Sequence, residues 1–225
     1  MCSEKFQICV AGAGPAGICA AVAAARNGAR TILVERYGFP GGLATAGLVG
    51  PISKFNFAGR RIVGGIPQEF IEAMRKGNGA VTDLPSGNIP FDSEVYKYTA
   101  LELLRSAGVM MLFHATVVET RFSDDGTLCS ITVSSNGTRR ELSAEYYIDC
   151  TGNGSLIAGS SVLWQPRSRA NSQPLSLIFK LGGVETDHLN ILMAEDGVRY
   201  ANTTLRKELS RAVEESLISN FGGPW

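Results

Sequence analysis

Gly12-Ala13-Gly14-Pro15-Ala16-Gly17 stands between an apolar run, Phe6 to Ala11, and an alanine-rich run, Ile18 to Ala25. A third apolar run, Thr31-Ile32-Leu33-Val34, ends on Glu35. The order reads as strand, glycine turn, helix, strand, acid. Gly12 lets the chain turn sharply out of the first strand. Pro15 suits a first helical turn, where its missing N–H would have no partner. Gly17 lets the helix lie close to the sheet.

This is the order that a dinucleotide-binding βαβ unit requires. Gly14 has no side chain, so a pyrophosphate can approach the backbone. The helix from Pro15 turns its free N–H groups and positive dipole end toward the phosphates. Glu35 lies 18 residues beyond Gly17. A carboxylate there accepts hydrogen bonds from both hydroxyls of an adenosine ribose and repels a 2′-phosphate, which disfavours an NADP-type ligand. The motif alone does not choose between FAD and NAD.

Composition narrows the field. The chain has 225 residues, with 21 basic and 21 acidic side chains. It is long enough for one large or two small domains with a substantial core. The balanced charge offers no basic patch for nucleic acid and no mark of a membrane-surface protein. The apolar N-terminus is broken by Gly12, Gly14, Pro15 and Gly17, so it reads as neither a signal peptide nor a membrane span. Five cysteines, with no Cys-x-x-Cys, argue against a disulfide framework or a zinc site. Cys9, Cys19 and Cys150 read as small buried apolar residues, and a reducing, cytoplasmic location is expected. His114 and His188 are too few and too far apart in sequence for a histidine metal site.

Beyond Glu35, residues 36–65 are glycine-rich and irregular. A short helix is predicted from Ile66 to Arg75, with Pro67 at its start, followed by a loop from Gly77 to Pro90. Asp92 or Ser93 caps a helix running to Ala107, which Gly108 ends. Val109 to Phe113 reads as a buried parallel strand. A β-meander follows: Thr116–Phe122, a turn at Asp125-Gly126, Leu128–Ser134, a turn at Asn136-Gly137, and Glu141–Cys150. Cys129, Ile131 and Val133 are expected on one buried face, and Leu142, Ala144, Tyr146 and Ile148 on another. Pro174–Gly182 reads as a strand and Thr203–Ser219 as an amphipathic helix.

With these pieces placed, the chain resembles the FAD-dependent oxidoreductase family of the glutathione-reductase-like, two-dinucleotide-binding flavoproteins. Four segments carry the resemblance: Val10 to Gly17; Val34-Glu35-Arg36 with Gly41-Gly42-Leu43-Ala44-Thr45; His114-Ala115-Thr116-Val117-Val118; and Ile148-Asp149-Cys150-Thr151-Gly152-Asn153-Gly154. The resemblance runs from about Phe6 to about Gly183 and implies FAD as cofactor. It also implies an α/β fold: a Rossmann-like FAD-binding domain with a parallel sheet and β-meander, plus an incomplete α+β substrate domain. Residues 1–50 and 91–160 would form the FAD-binding domain, and 51–90 and 161–225 the substrate or cap portion.

The roles that the resemblance implies are specific. Gly12, Ala13, Gly14, Pro15, Ala16 and Gly17 would line the pyrophosphate. Glu35 would hold the adenosine ribose, with Arg36 beside the adenine. Gly41, Gly42, Ala44 and Thr45 would run past the pyrophosphate and ribityl chain. Val117 would offer its backbone to the adenine edge, a position that by chemistry alone is simply a strand valine. Thr151 and Gly152 would return a small turn to the cofactor. Relatives carry a further C-terminal segment to the flavin, so the chain is expected to be an N-terminal part. Its partner would be a complementary segment or a homo-oligomeric copy, and its substrate a small organic molecule. No catalytic acid or base is assigned. Arg60, Arg61, Arg167 and Arg169, with Trp164, lie in loops expected near a substrate, where the arginines are suited to a carboxylate or to solvent. His114 is expected to be structural, and Tyr37 to pack on the adenosine or on the surface. Two other readings stand beside the flavoenzyme: an NAD-binding dehydrogenase domain, and a non-catalytic module or fragment that keeps the fold.

Overall fold

The computed structural model describes residues 5–53, 55–57, 60–82, 87–158, 160–162, 177–178, 182–183 and 204–218. The chain divides into two compact units, residues 1–165 and 166–225. In the second unit a single helix is described, Thr204–Glu214. It covers the core of the helix expected over 203–219. The strand expected over 174–182, together with Trp164, Arg167 and Arg169, lies wholly or largely outside the described residues.

The first unit is built on a six-stranded sheet. Its strands are β1 (Lys5–Ala11), β2 (Thr31–Val34), β5 (Met110–Leu112), β6 (Thr116–Phe122), β7 (Leu128–Ser135) and β8 (Thr138–Asp149), in the order β5-β2-β1-β8-β7-β6. β5, β2, β1 and β8 are mutually parallel, and β8, β7 and β6 form the antiparallel meander. A two-residue hairpin pairs β3 (Asn56–Phe57) with β4 (Arg60–Arg61).

The parallel strands are apolar throughout because both their faces are covered. Val10 and Leu33 face the helices α1 (Pro15–Arg26), α2 (Ile66–Lys76) and α3 (Ser93–Ser106). Cys9, Ala11, Ile32 and Val34 face the meander residues Ile131, Val133 and Leu142. Asp92 caps α3, its Oδ1 accepting from the N–H groups of Glu94 at 2.7 Å and Val95 at 3.0 Å. α2 is tied to α1 by a two-pronged pair, Arg26 to Glu69, at 2.6 and 2.7 Å.

The core of the first unit is continuous across residues 50 and 90. Phe55, Phe70, Met74 and Ile89 share one core with Val10, Val22 and Leu33, so 51–90 packs into the same unit as the nucleotide-type sheet. Two expectations for the meander need correction. Cys129 is exposed, while Ile131 and Val133 are buried beside Ser130. Tyr146 is 68% exposed, and Ile148 packs on the helix-side core instead of on the Leu142 face. β8 leaves β7 after Leu142 and joins β1 from Ser143, and alternation holds as far as Ala144 on the Leu142 face. Just beyond, opposite Glu145 and Tyr146, the N–H groups of Gln7 and Ile8 both donate to the Arg30 carbonyl. Alternation is broken there, and Tyr147 takes the inward position. Its hydroxyl donates to the Cys129 carbonyl and accepts from the Ala144 N–H, each at 2.9 Å.

Candidate functional site

The site lies at the carboxyl ends of β1, β2 and β8, where an open parallel sheet offers its crevice. Three segments converge there. The loop Gly12–Gly14 leaves β1 and enters α1 with Gly14 as its N-cap and Pro15 as its first residue. The Gly41 N–H donates to the Ala13 carbonyl at 2.7 Å, which docks the second segment on the first. The Cys150 N–H donates to the Ala11 carbonyl at 2.8 Å, which docks the third.

The glycines of the loop have different reasons to be glycine. At Gly17 a Cβ would overlap the Gly12 carbonyl oxygen, so this residue sets the approach of helix to strand. At Gly12, where φ is +94°, a Cβ would overlap the Cys150 carbonyl. Gly14 differs: its φ is −68°, and a Cβ there would meet no atom within 4 Å. Neither the backbone nor the packing of this chain requires glycine at that position. Open space lies at the N-terminus of α1, where the first N–H groups have no acceptor within the helix. Gly42 runs close to the Gly14 backbone, since a Cβ on Gly42 would come within 2.9 Å of the Gly14 Cα.

Glu35 is buried, yet its carboxylate is fully oriented. Oε2 accepts from the Ala13 N–H at 2.7 Å and Oε1 from the Tyr37 N–H at 2.9 Å. An ionised carboxylate has about four acceptor positions, so two remain for donors from outside the chain. Ala13 itself is fully buried, with its N–H held by Glu35 and its carbonyl by Gly41. It therefore acts as a joint between segments and has no free N–H for a phosphate. Thr45, expected along the cofactor, is likewise buried, and its hydroxyl donates to the Pro40 carbonyl at 2.8 Å. Ala44 and Gly41 are buried with it, while Pro15, Ala16, Arg36 and Gly152 are exposed.

The strand connection beside Glu35 adds further positions. The Ala115 N–H donates to the Glu35 carbonyl at 2.9 Å and the His114 N–H to the Tyr37 carbonyl at 3.0 Å. Two residues on, Val117 is half-buried in β6, immediately before a shift in strand register. The His114 imidazole is exposed and lies against Gly38, where a Cβ would come within 2.6 Å of its Cε1. Arg60 and Arg61 are exposed on β4 and make no ion pair among the described residues.

Asp149 is the residue whose part the sequence reading left undefined. Its Oδ1 accepts from the Thr151 N–H at 3.0 Å and the Thr151 hydroxyl at 2.6 Å, and its Oδ2 from the Leu156 N–H at 2.9 Å. The Thr151 oxygen in turn accepts from the Ser155 N–H at 2.9 Å. An aspartate ending a strand two residues before a threonine is the signal for such a turn. Gly152, at φ +78° with open space around it, completes the turn. The thiols nearby are poor nucleophiles. Burial pushes Cys150 up, with Asp149 adding to it, and burial pushes Cys19 up, with Cys150 adding to it. Among the described residues no group of three His, Cys, Asp or Glu side chains gathers to hold a metal. No helix among them is long and apolar enough to cross a membrane.

The profile of the FAD-dependent oxidoreductases matches residues 7–218, and the chain belongs to that family, whose cofactor is FAD. No curated protein matches the chain. Among solved structures, THI4 of Thermovibrio ammonificans is similar at a TM-score of 0.50 with 18% identity, over 68% of this chain and 60% of that one. CabE, an aromatic hydroxylase from angucycline biosynthesis, is similar at 0.50 with 14% identity, over 69% of this chain and 33% of that one. These likenesses show the fold. The chain spans 60% of the first structure's length and a third of the second's.

Proposed function

We propose that this member of the FAD-dependent oxidoreductases binds FAD across the β1, β2 and β8 ends and serves an enzyme moving hydride or electrons between FAD and a small organic substrate. The observation that carries this is the room at Gly14. A glycine that the chain needs neither for conformation nor for packing faces open space at the N-terminus of α1. A pyrophosphate needs that room and those N–H groups.

In this reading Gly12, Gly14, Pro15, Ala16 and Gly17 form the pyrophosphate face, with Ala13 as the joint beneath it. Glu35 holds the adenosine ribose with its two remaining acceptor positions, and Arg36 lies by the adenine. Gly41, Gly42, Ala44 and Thr45 carry the backbone along the cofactor, and Thr151 and Gly152 return to it under the direction of Asp149. Val117 offers its backbone to the adenine. Bound FAD supplies the two-electron chemistry, and the chain's task is to bind, orient and exclude water. Residues 51–90 contribute to the substrate side, with Arg60 and Arg61 as exposed cations suited to a carboxylate. A complementary segment or a second copy is the macromolecular partner. The free thiols Cys9, Cys19, Cys129 and Cys150 support a reducing, cytoplasmic setting.

The test is the visible spectrum of the purified protein, followed by heat release and chromatographic identification of the ligand. A flavin spectrum with FAD released is the expected result. Colourless protein that cannot be reconstituted with FAD overturns the proposal. Binding of NAD without FAD would favour the dehydrogenase-domain reading instead.

A further inference from the structure

The loop after Glu35 is held by a stack that the site as described does not use. The Arg36 guanidinium lies over the Tyr37 ring, 4.8 Å from its centroid. The Tyr37 and Phe39 rings are stacked, with centroids 5.8 Å apart and planes 11° apart. The Lys97 ammonium, from α3, covers Phe39 at 4.2 Å from its centroid. Lys97 is itself fixed by Glu94, one turn earlier, at 2.8 Å. A cation from a regular helix thus ends a stack whose other end is Arg36.

That stack bears on the carboxylate. The Tyr37 N–H is one of the two donors that orient Glu35, and the Tyr37 carbonyl is tied to the His114 N–H. Among the described residues the Tyr37 side chain makes no hydrogen bond, so its ring neighbours place the ring and add to the two backbone bonds that hold the residue. We propose that Phe39 and Lys97 are positioning residues for the adenosine end of the cofactor, acting through Tyr37 on the aim of Glu35. The proposal rests on the reading of Glu35 as the ribose-holding group. Without the stack, the loop of residues 36–40 has more conformations, and Oε1 loses a fixed donor. The carboxylate then presents its free acceptor positions in the right direction for only part of the time, and affinity falls by that fraction.

The experiment titrates the full chain with ADP and with FAD by calorimetry. ADP carries the ribose and pyrophosphate without the flavin. Phe39→Ala is expected to weaken both ligands about fivefold and Lys97→Met about threefold, at the scale of one aromatic or cation–aromatic contact. Phe39→Tyr should restore wild-type affinity, and Glu94→Gln should weaken binding less than Lys97→Met. The deciding arm repeats Phe39→Ala and Lys97→Met in a Glu35→Gln background, where a residue acting through Glu35 has no further effect. The same loss in both backgrounds overturns the proposal, as does an unchanged affinity in folded Phe39→Ala or Lys97→Met. Should Phe39→Ala fail to fold, the Lys97→Met cycle decides alone. A wild-type chain that binds neither ADP nor FAD overturns the cofactor reading and this proposal together. A wild type that binds both while the variants match it overturns this proposal only.

Discussion

Glu35 provides the sharpest test, because its contacts make fold and binding depend on one carboxylate. Replacing it with glutamine keeps shape and volume but exchanges one acceptor oxygen for a donor. Both of its neighbours are donors: the Ala13 N–H at 2.7 Å and the Tyr37 N–H at 2.9 Å. The amide can satisfy one of them and must point an N–H at the other. The better choice keeps the oxygen on Ala13, which is fully buried, and sacrifices the bond to Tyr37, which is 37% exposed. One charge-assisted hydrogen bond is lost, a cost of about 1.5–3 kcal/mol. Glu35→Ala removes both acceptors. It adds the desolvation penalty of a stranded Ala13 N–H, another roughly 1–3 kcal/mol. The expected order of stability without ligand is wild type, then Glu35→Gln, then Glu35→Ala. The assay is urea unfolding followed by far-UV circular dichroism on protein stripped of cofactor. If Glu35→Ala unfolds within about 0.5 kcal/mol of wild type, the carboxylate is not the joint described. FAD affinity should follow the same order, with Glu35→Gln weakened about tenfold or more, since the neutral amide keeps one free acceptor position where the carboxylate offers two.

Other outcomes follow from the same geometry. Gly14→Ala should cost the ligand-free protein no more than about 1 kcal/mol, the weaker N-cap preference of alanine, because its Cβ meets nothing within 4 Å. The same change should abolish tight FAD binding in a fluorescence-quenching titration, whereas Gly17→Ala, which collides with the Gly12 carbonyl, should yield little folded protein. A Gly14→Ala protein that binds FAD like wild type would remove the pyrophosphate from that space. In native alkylation with iodoacetamide at pH 8, peptide mass mapping should find exposed Cys129 modified before Cys9, Cys19 and Cys150. Cys9 should stay protected until the protein unfolds, since burial pushes its thiol up to about 12. The hydrogen bonds from Arg26 hold the Glu69 carboxyl below its usual range. A carboxylate depressed in the folded state stabilises above its unfolded pKa, and that contribution is lost as pH falls through the folded one. Both side chains are over a third exposed, so Glu69→Gln should cost under about 1 kcal/mol at pH 7 and nothing at pH 2 by thermal melts.

Much of this arrangement was legible because its determinants are local. The glycine loop, Pro15 at the helix start, the Asp92 cap and the stop at Gly108 each follow from backbone rules of a few residues. The apolar runs Phe6–Ala11 and Thr31–Val34 announce strands covered on both faces. What was not legible depends on non-local partners. The inward turn of Tyr147 in place of Tyr146 comes with a break in alternation after Ala144, where β8 already pairs with β1, and periodicity along β8 alone cannot show it. The packing of 51–90 into the first unit rests on Phe55, Phe70 and Ile89 reaching the Val10 core across long stretches of chain. The sequence pattern marks Glu35 and Gly14 as expected ligand contacts. That Glu35 also holds Ala13, and so joins the loop to β2, needed the geometry.

That double duty bears on how the site would work. A glutamate free in solution would lose side-chain freedom on gripping a ribose, at a cost of about 0.5–1.5 kcal/mol for an immobilised side chain. Here that freedom is already lost on folding, because Ala13 and Tyr37 hold both oxygens before any ligand arrives. The same holds at Thr151, whose hydroxyl is held by Asp149, and at Gly41, whose N–H is held by Ala13. The three segments are therefore preorganised by bonds to one another. The ordering cost falls on the fold, in the form of a buried carboxylate that cannot be removed without stranding a buried N–H. A site built this way predicts that stability and cofactor affinity change together at Glu35 and separate at Gly14, where the space is needed by the ligand alone.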